Sequence, residues 1–194
     1  MTRRSIFLFF VISILFSYCT TKGKFAIENG YQIDSSFKLK DSLNEIICLK
    51  YNLGDSVKPN SVNFHYFIKE NHNWVLRNKF DSLEGWRENE LLTDHADFNN
   101  DDVADFVFLA KQGIHGANFW DNIILYKPNT KSFIYLRGSK EICAPWFDKK
   151  KKNIIGVNTF GGNYALSDYI IDKDSVIETS REVWRDDTLI RKIK

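Results

Sequence analysis

The sequence predicts an all-β protein made of successive antiparallel hairpins, stacked as propeller-like or barrel-like sheets. Two observations support this fold class. Runs of branched and aromatic residues recur along the chain, and clusters of polar turn residues separate them. Only residues 82–93 have a helical period, and it is weak and short. We therefore expect a single β domain over residues 41–194.

The predicted strands follow one another with short turns between them. The first three are 46–53, 62–69 and 74–80, and a polar turn at 70–73 joins the last two. The later strands are, in order, 105–110, 121–126, 132–136, 142–147, 153–158, 164–171, 176–184 and 188–193. The basic run 149–152 falls between two of them, so we interpret it as a solvated hairpin tip.

One loop has the spacing of a cation-binding loop. Asp97, Asn99 and Asp101 occupy its positions 1, 3 and 5, and Asp105 occupies position 9. Hard oxygen ligands at this spacing suit Ca²⁺. The three inward side chains would be joined by the backbone carbonyl of Val103, and Asp105 would bind directly or through a water molecule.

This loop departs from the helix–loop–helix calcium sensors at two positions. Position 12 is Phe108, so the bidentate glutamate is missing, and position 6 is Asp102, where glycine is usual. Aspartate tolerates positive φ better than most residues. Because the loop leads directly into the strand 105–110, it is not part of such a sensor. An acidic surface turn that binds no metal is the alternative.

The N-terminus has the pattern of an export signal over residues 1–18. Arg3 and Arg4 precede an apolar run at 6–16, which is too short for an ordinary membrane-spanning helix. Cys19 and a polar stretch follow, which resembles the lipobox of bacterial lipoproteins, although Tyr18 replaces the usual small residue. We expect lipid attachment at Cys19, a tether over 19–40, and a periplasmic or surface-facing place in the bacterial cell envelope. Ordinary cleavage nearby and an uncleaved anchor are the alternatives.

Charge and cysteine content exclude some classes of function. The chain has 27 basic and 25 acidic residues, and the signal segment contains two of the basic ones. The mature part therefore has no net charge, which gives no reason to expect nucleic-acid binding. Cys48 and Cys143 could pair in an oxidising compartment or remain buried free thiols. They lack CxxC spacing and the four His residues are scattered, so a zinc site is not expected.

Two glycine-bearing loops look like recognition surfaces. The loop 112–121 contains four candidate partner-binding residues, and the loop 159–164 contains a fifth. These candidates are His115, Asn118, Phe119, Trp120 and Tyr164. Glycine, asparagine and aromatic residues together give adaptable contacts with rigid anchors. The alternative is that the aromatic rings fold inward and cap the sheets.

The sequence carries no catalytic motif. It has no G-x-S-x-G, no H-E-x-x-H and no glycine-rich phosphate loop before a helix. We therefore do not expect an enzyme, and a glycan-acting enzyme is the least supported function.

Several segments together resemble a known family. The loop 97–101 with Asp105 and Phe106, the stretch 113–118, the run 124–126 and Phe133 resemble FG-GAP/VCBS-like calcium-loop proteins. They are similar in particular to small exported lipoproteins of propeller-like β fold that act as lysozyme inhibitors and immunity proteins. The resemblance covers about residues 90–184. It implies a calcium-stabilised envelope lipoprotein that binds a protein partner and inhibits a lysozyme-like cell-wall hydrolase. A structural or assembly lipoprotein of the envelope is the alternative.

Overall fold

The computed structural model describes residues 35–37, 44–52, 61–85, 97–113 and 118–194. The predicted signal segment and the predicted lipid attachment site at Cys19 lie outside these residues. Among the described residues, no helix is long and apolar enough to cross a membrane.

Strands dominate the described part of the chain, and one 3₁₀ turn at Ser139–Glu141 is the helical element there. The strands are β1 (Ser35–Phe37), β2 (Glu45–Asn52), β3 (Ser61–Glu70), β4 (Asn73–Glu84), β5 (Phe106–Gln112), β6 (Phe119–Lys127), β7 (Ser132–Tyr135), β8 (Trp146–Asp148), β9 (Asn153–Phe160), β10 (Asn163–Asp172), β11 (Ser175–Arg185) and β12 (Thr188–Ile193). The prediction of a nearly all-β protein is confirmed.

Three predictions differ most from the structure. Residues 82–84, where a short helix was considered, belong to β4, and residues 86–93 lie outside the described part. The predicted strand 142–147 is shortened to β8. Ile142 and Cys143, which follow the 3₁₀ turn, are buried but lie outside the named strands. The short strand β1 falls inside the stretch predicted to be a tether, and it pairs with β2.

The strands form three antiparallel sheets in which chain neighbours pair. The first sheet has the order β1-β2-β3-β4, the central sheet β5-β6-β7, and the C-terminal sheet β12-β11-β10-β9-β8. The prediction of successive antiparallel hairpins is thus confirmed. The strand orders are linear within each sheet, so a propeller-like or barrel-like closure stays a prediction.

The three sheets stack because the central sheet is apolar on both faces. Along β6, Ile124 and Tyr126 pack against the first sheet, whereas Ile123 and Leu125 pack towards the C-terminal sheet. Neighbouring residues point to opposite faces of a strand. An uninterrupted apolar run over 123–126 therefore produces a strand that is buried on both sides.

The two cysteines do not pair in the structure. Cys48 and Cys143 are both buried, and neither forms a disulfide bond within the described residues. Cys48 packs with Ile46 and Phe67 on the face of the first sheet that points away from the central sheet. Cys143 lies beside Trp120 in an isolated bridge at the start of β6. Of the two alternatives for the cysteines, the structure therefore has buried thiols without a disulfide.

Candidate functional site

The predicted calcium loop directly precedes strand β5, and two residues fix its ends. Phe98 is buried in the core between the central and C-terminal sheets. Asp105 is 4% exposed, and its carboxylate accepts the backbone N–H of Phe98 at 2.7 Å and that of Tyr126 at 2.8 Å. The carboxylate thus ties the start of the loop to strand β6, although Asp105 and Tyr126 are 21 residues apart in the chain.

The side-chain oxygens predicted as ligands are gathered by the backbone of the loop itself. Asp97 accepts the N–H groups of Asp101 and Asp102 on its two oxygens, at 3.1 and 3.0 Å. Asn99 also accepts the N–H of Asp101, at 3.0 Å, and Asp101 accepts the N–H of Val103 at 3.0 Å. The chain therefore winds around the side chains at positions 1, 3 and 5, and each of these oxygens retains a lone pair.

Positive φ angles make this tight winding possible. Asp102, at the loop position where glycine is usual, has φ +63°, and Asn100 has φ +57°. Asparagine and aspartate are the non-glycine residues that adopt this conformation most readily. Asp102 therefore adopts the positive φ that aspartate was expected to tolerate at this position.

Negative charge is concentrated in the loop. The pKa of Asp105 is raised to about 7, chiefly by burial; two backbone hydrogen bonds oppose this rise, and the nearby carboxylates of Asp101 and Asp97 add to it. The three carboxylates are therefore close enough to repel one another. A cation among them would relieve that repulsion.

The oxygen donors of the loop fit a hard cation better than a transition metal. Carboxylate, amide and carbonyl oxygens are the ligands that Ca²⁺ prefers. Within the described residues, no three His, Cys, Asp or Glu side chains are grouped so that they could hold a metal by themselves. Any metal in this loop would therefore need Asn99 and the Val103 carbonyl as well as the aspartates.

The two predicted recognition loops lie side by side, and Asn118 joins them. Its side-chain oxygen accepts the backbone N–H and the hydroxyl of Thr159, each at 3.0 Å, and its Nδ2 donates to the Thr159 carbonyl at 2.9 Å. Cys143 Sγ donates to the same oxygen at 3.4 Å. The polar atoms of Asn118 are thus used inside the chain, where they position the neighbouring aromatic residues.

The aromatic residues of these loops are not drawn into the core. Phe119 is 38% exposed and Phe160 is 47% exposed. Trp120 is half-buried, and Lys111 Nζ lies 5.1 Å from the centre of its ring. Such a cation over an indole face stabilises the ring orientation. Phe119 and Phe160 therefore do not fold inward as caps, whereas Trp120 is partly buried.

Tyr164 lies at the end of the second loop, in the first turn-side pairs of the β9–β10 hairpin. Its ring stacks on Trp184 with the planes within 4° and the centroids 6.3 Å apart, and its hydroxyl donates to Asp187 at 3.4 Å. Tyr164 pairs with Thr159 in the β9–β10 register. It therefore shares a sheet face with the threonine that Asn118 holds. His115, the remaining predicted contact residue, lies outside the described residues.

Sequence reasoning missed the residues that position this surface. Lys111 is the cross-strand partner of Trp120, and Trp184 is the cross-strand partner of Tyr164. Thr159 lies inside a predicted loop but was not predicted as a contact residue. These pairs are set by strand register, so local spacing gives no sign of them. Asn118 was the nearest signal in the sequence. A partly buried side-chain amide needs several hydrogen-bond partners, which indicates contact with another segment.

Comparisons with known proteins add no relative to these observations. No protein-family model, no curated protein and no solved structure matches the chain. Its function is therefore inferred from its own residues.

Proposed function

We propose that this chain is an exported, lipid-anchored envelope protein whose β domain is stabilised by Ca²⁺ and binds a protein partner. The partner we propose is a lysozyme-like cell-wall hydrolase, which the chain inhibits in the manner of an immunity protein. The lipid is attached at Cys19, and the calcium ligands come from residues 97–105. The chain is a binding protein with no catalysis of its own.

The conformation of the calcium loop carries this proposal. Asp97, Asn99 and Asp101 turn their oxygens inward, and the loop N–H groups hold them there. An acidic turn without a ligand would gain by spreading its carboxylates into water, since like charges repel. A loop that instead gathers them is arranged for a cation, and Ca²⁺ fits the oxygen ligands.

Calcium is expected to raise the melting temperature of the protein, and a chelator to lower it. A ligand that binds only the folded state stabilises it by about 2.7 kcal/mol at a concentration 100 times its dissociation constant. Differential scanning calorimetry in excess Ca²⁺ and in chelator measures the shift. Asp97→Ala and Asp101→Ala should each abolish it, because each removes a ligand and leaves unpaired loop N–H groups.

Asp172→Ala is the matched control, since Asp172 is an exposed aspartate of β10 outside the loop. This variant should keep the full calcium shift. A melting temperature that is the same in Ca²⁺ and in chelator would leave the loop as an acidic turn and remove the metal from the proposal.

The surface formed by the two recognition loops supports the choice of a protein partner. Phe119 and Phe160 are exposed on a scaffold that Asn118 fixes in place. Rigid aromatic anchors are the residues that contribute most to binding at protein interfaces. Binding a partner costs these residues little conformational entropy, because the backbone that carries them is already hydrogen-bonded.

Phe119→Ala is expected to weaken partner capture while changing stability little. Truncating an interface anchor typically costs at least about 2 kcal/mol of binding free energy, a loss of roughly thirtyfold in affinity. The measurement is capture of lysozyme-type hydrolases from an envelope extract, followed by inhibition of peptidoglycan hydrolysis. Leu76→Ala is the control, because Leu76 is 40% exposed on the first sheet, away from both loops.

Two results would count against this function. If Phe119→Ala and Leu76→Ala capture hydrolases equally well, the recognition surface is elsewhere. If the wild-type protein captures other envelope proteins but no hydrolase, the structural or assembly role replaces the inhibitory one.

A further inference from the structure

Strand β12 (Thr188–Ile193) forms the edge of the C-terminal sheet. It pairs antiparallel with β11, and the strand order places it last in its sheet. Within the part of the chain that the structure describes, no strand pairs with its other side. All of its residues are exposed. The strand therefore presents a row of unpaired backbone N–H and carbonyl groups.

This edge strand is poorly supported by the rest of the molecule. Leu189, Ile190 and Ile193 are 43%, 53% and 41% exposed, and the neighbouring strand β11 contains no buried residue. Strand β12 itself has no buried side chain, so apart from its pairing with β11 the described part of the chain stabilises it little. Pairing along the free edge would add backbone hydrogen bonds and would remove these apolar side chains from water.

The charges along β12 indicate what pairs with it. The turn before the strand carries Asp186 and Asp187, whereas the other end carries Arg191, Lys192 and Lys194. Lys192 is already paired with Glu182 at 2.5 Å, and the remaining two basic residues are exposed. The strand therefore has an acidic end and a basic end.

We propose that the partner of this edge is β12 of a second copy of the chain, paired antiparallel about a two-fold axis. Antiparallel pairing of two identical strands places the start of one beside the end of the other. The acidic turn of each copy then faces the basic end of its partner, and the two C-terminal sheets become one continuous sheet.

The same strand also has features by which proteins avoid edge pairing. The β11–β12 register shifts between Val183 and Trp184, which leaves Ile190 as a bulge residue. Bulges and basic residues on an edge strand normally oppose self-association. Here the acidic turn lies where it meets the basic residues of the second copy, so the charges attract across the pair.

Charge reversal at either end tests the pairing. Analytical ultracentrifugation of the wild-type protein over a concentration series should reach twice the mass of one chain. Asp186→Lys with Asp187→Lys should weaken self-association by at least about tenfold, because like charges then face each other twice. Arg191→Glu with Lys194→Glu should weaken it by the same factor.

A charge swap separates the proposal from simple damage to the hairpin. The variant that carries all four reversals should dimerise again, and an equimolar mixture of the two double variants should form a mixed dimer. Lysine adopts positive φ in other turns of this chain, at Lys131, Lys152 and Lys173. Asp186 and Asp187 are two consecutive residues with positive φ, and recovery of the dimer by the fourfold variant controls for strain from two lysines there.

The control is Lys149→Glu with Lys150→Glu, two exposed residues of the β8–β9 turn, and it should leave self-association unchanged. A wild-type protein that stays monomeric at every concentration would overturn the proposal and leave β12 as a protected edge. Self-association that both double variants retain, or that the fourfold variant fails to recover, would also overturn it.

Discussion

Replacing Asp105 by alanine is expected to lower the free energy of unfolding by about 2–6 kcal/mol, because two buried N–H groups each lose an acceptor worth about 1–3 kcal/mol. These donors are the backbone N–H groups of Phe98 and Tyr126. Urea unfolding followed by tryptophan fluorescence measures the loss, and a chelator in the buffer excludes any contribution from calcium.

The same experiment should depend on pH in a definite direction. Burial raises the pKa of Asp105 to about 7 from an ordinary value of 3.8. The folded state thus keeps a proton that the unfolded state has already lost. The resulting stability is fully present below about pH 4 and is lost as the pH rises through about 7. The alanine variant lacks this group, so the difference between wild type and variant should shrink over that range.

Two further variants test whether the loss of stability comes from the hydrogen bonds that Asp105 accepts. Asp105→Asn keeps one acceptor oxygen, so its loss of stability should lie between wild type and Asp105→Ala. Asp172→Ala removes an exposed aspartate and should change the free energy of unfolding by no more than about 0.5 kcal/mol. If Asp105→Ala costs no more than Asp172→Ala, the carboxylate does not hold the loop to β6.

The double role of Asp105 marks the limit of what local spacing predicts. The position of Asp105 in the loop indicated a metal ligand. The path of the backbone around Asp97, Asn99 and Asp101 depends only on residues close in sequence. The bond of Asp105 to the Tyr126 N–H joins segments 21 residues apart. No pattern within the loop contains that information, because it depends on how the strands pair.

Hairpins were predictable and the stacking of sheets was not. Strands β10, β11 and β12 lie within one residue of their predicted bounds, because alternating strands and polar turns encode short-range pairing. The predicted strand 142–147 was too long, because Ile142 is apolar for another reason: it is fully buried between two sheets after the 3₁₀ turn. An apolar run marks burial, and only tertiary packing decides whether it is a strand.

The recognition surface could be predicted only in part. Sequence composition indicated two loops, and the structure brings them together through Asn118 and Thr159. The exposure of Phe119 and Phe160 could not be inferred, since aromatic residues are buried more often than exposed. The side of the strand on which a ring lies depends on register, which is set by pairing with distant residues.

Replacing Phe64 by alanine is expected to destabilise the protein by about 3–5 kcal/mol, the usual cost of truncating a buried phenylalanine. Phe64 is fully buried in β3. Its ring contacts Phe106 and Phe133 with centroid distances of 5.2 Å each, so it joins the first sheet to the central sheet. Truncating Phe64 would leave a cavity between the first sheet and the central sheet, each of which buries apolar side chains against the other.

Urea unfolding under constant calcium measures this loss, and Phe119→Ala is the matched control. Phe119 is the same residue type but is 38% exposed, so its truncation should cost less than about 1 kcal/mol. Phe64→Leu should fall between the two, because leucine fills part of the cavity. If Phe64→Ala cost as little as Phe119→Ala, the first sheet would not depend on the central sheet for its stability. A loss in the expected range that appears in one cooperative transition would instead mean that the two sheets unfold together.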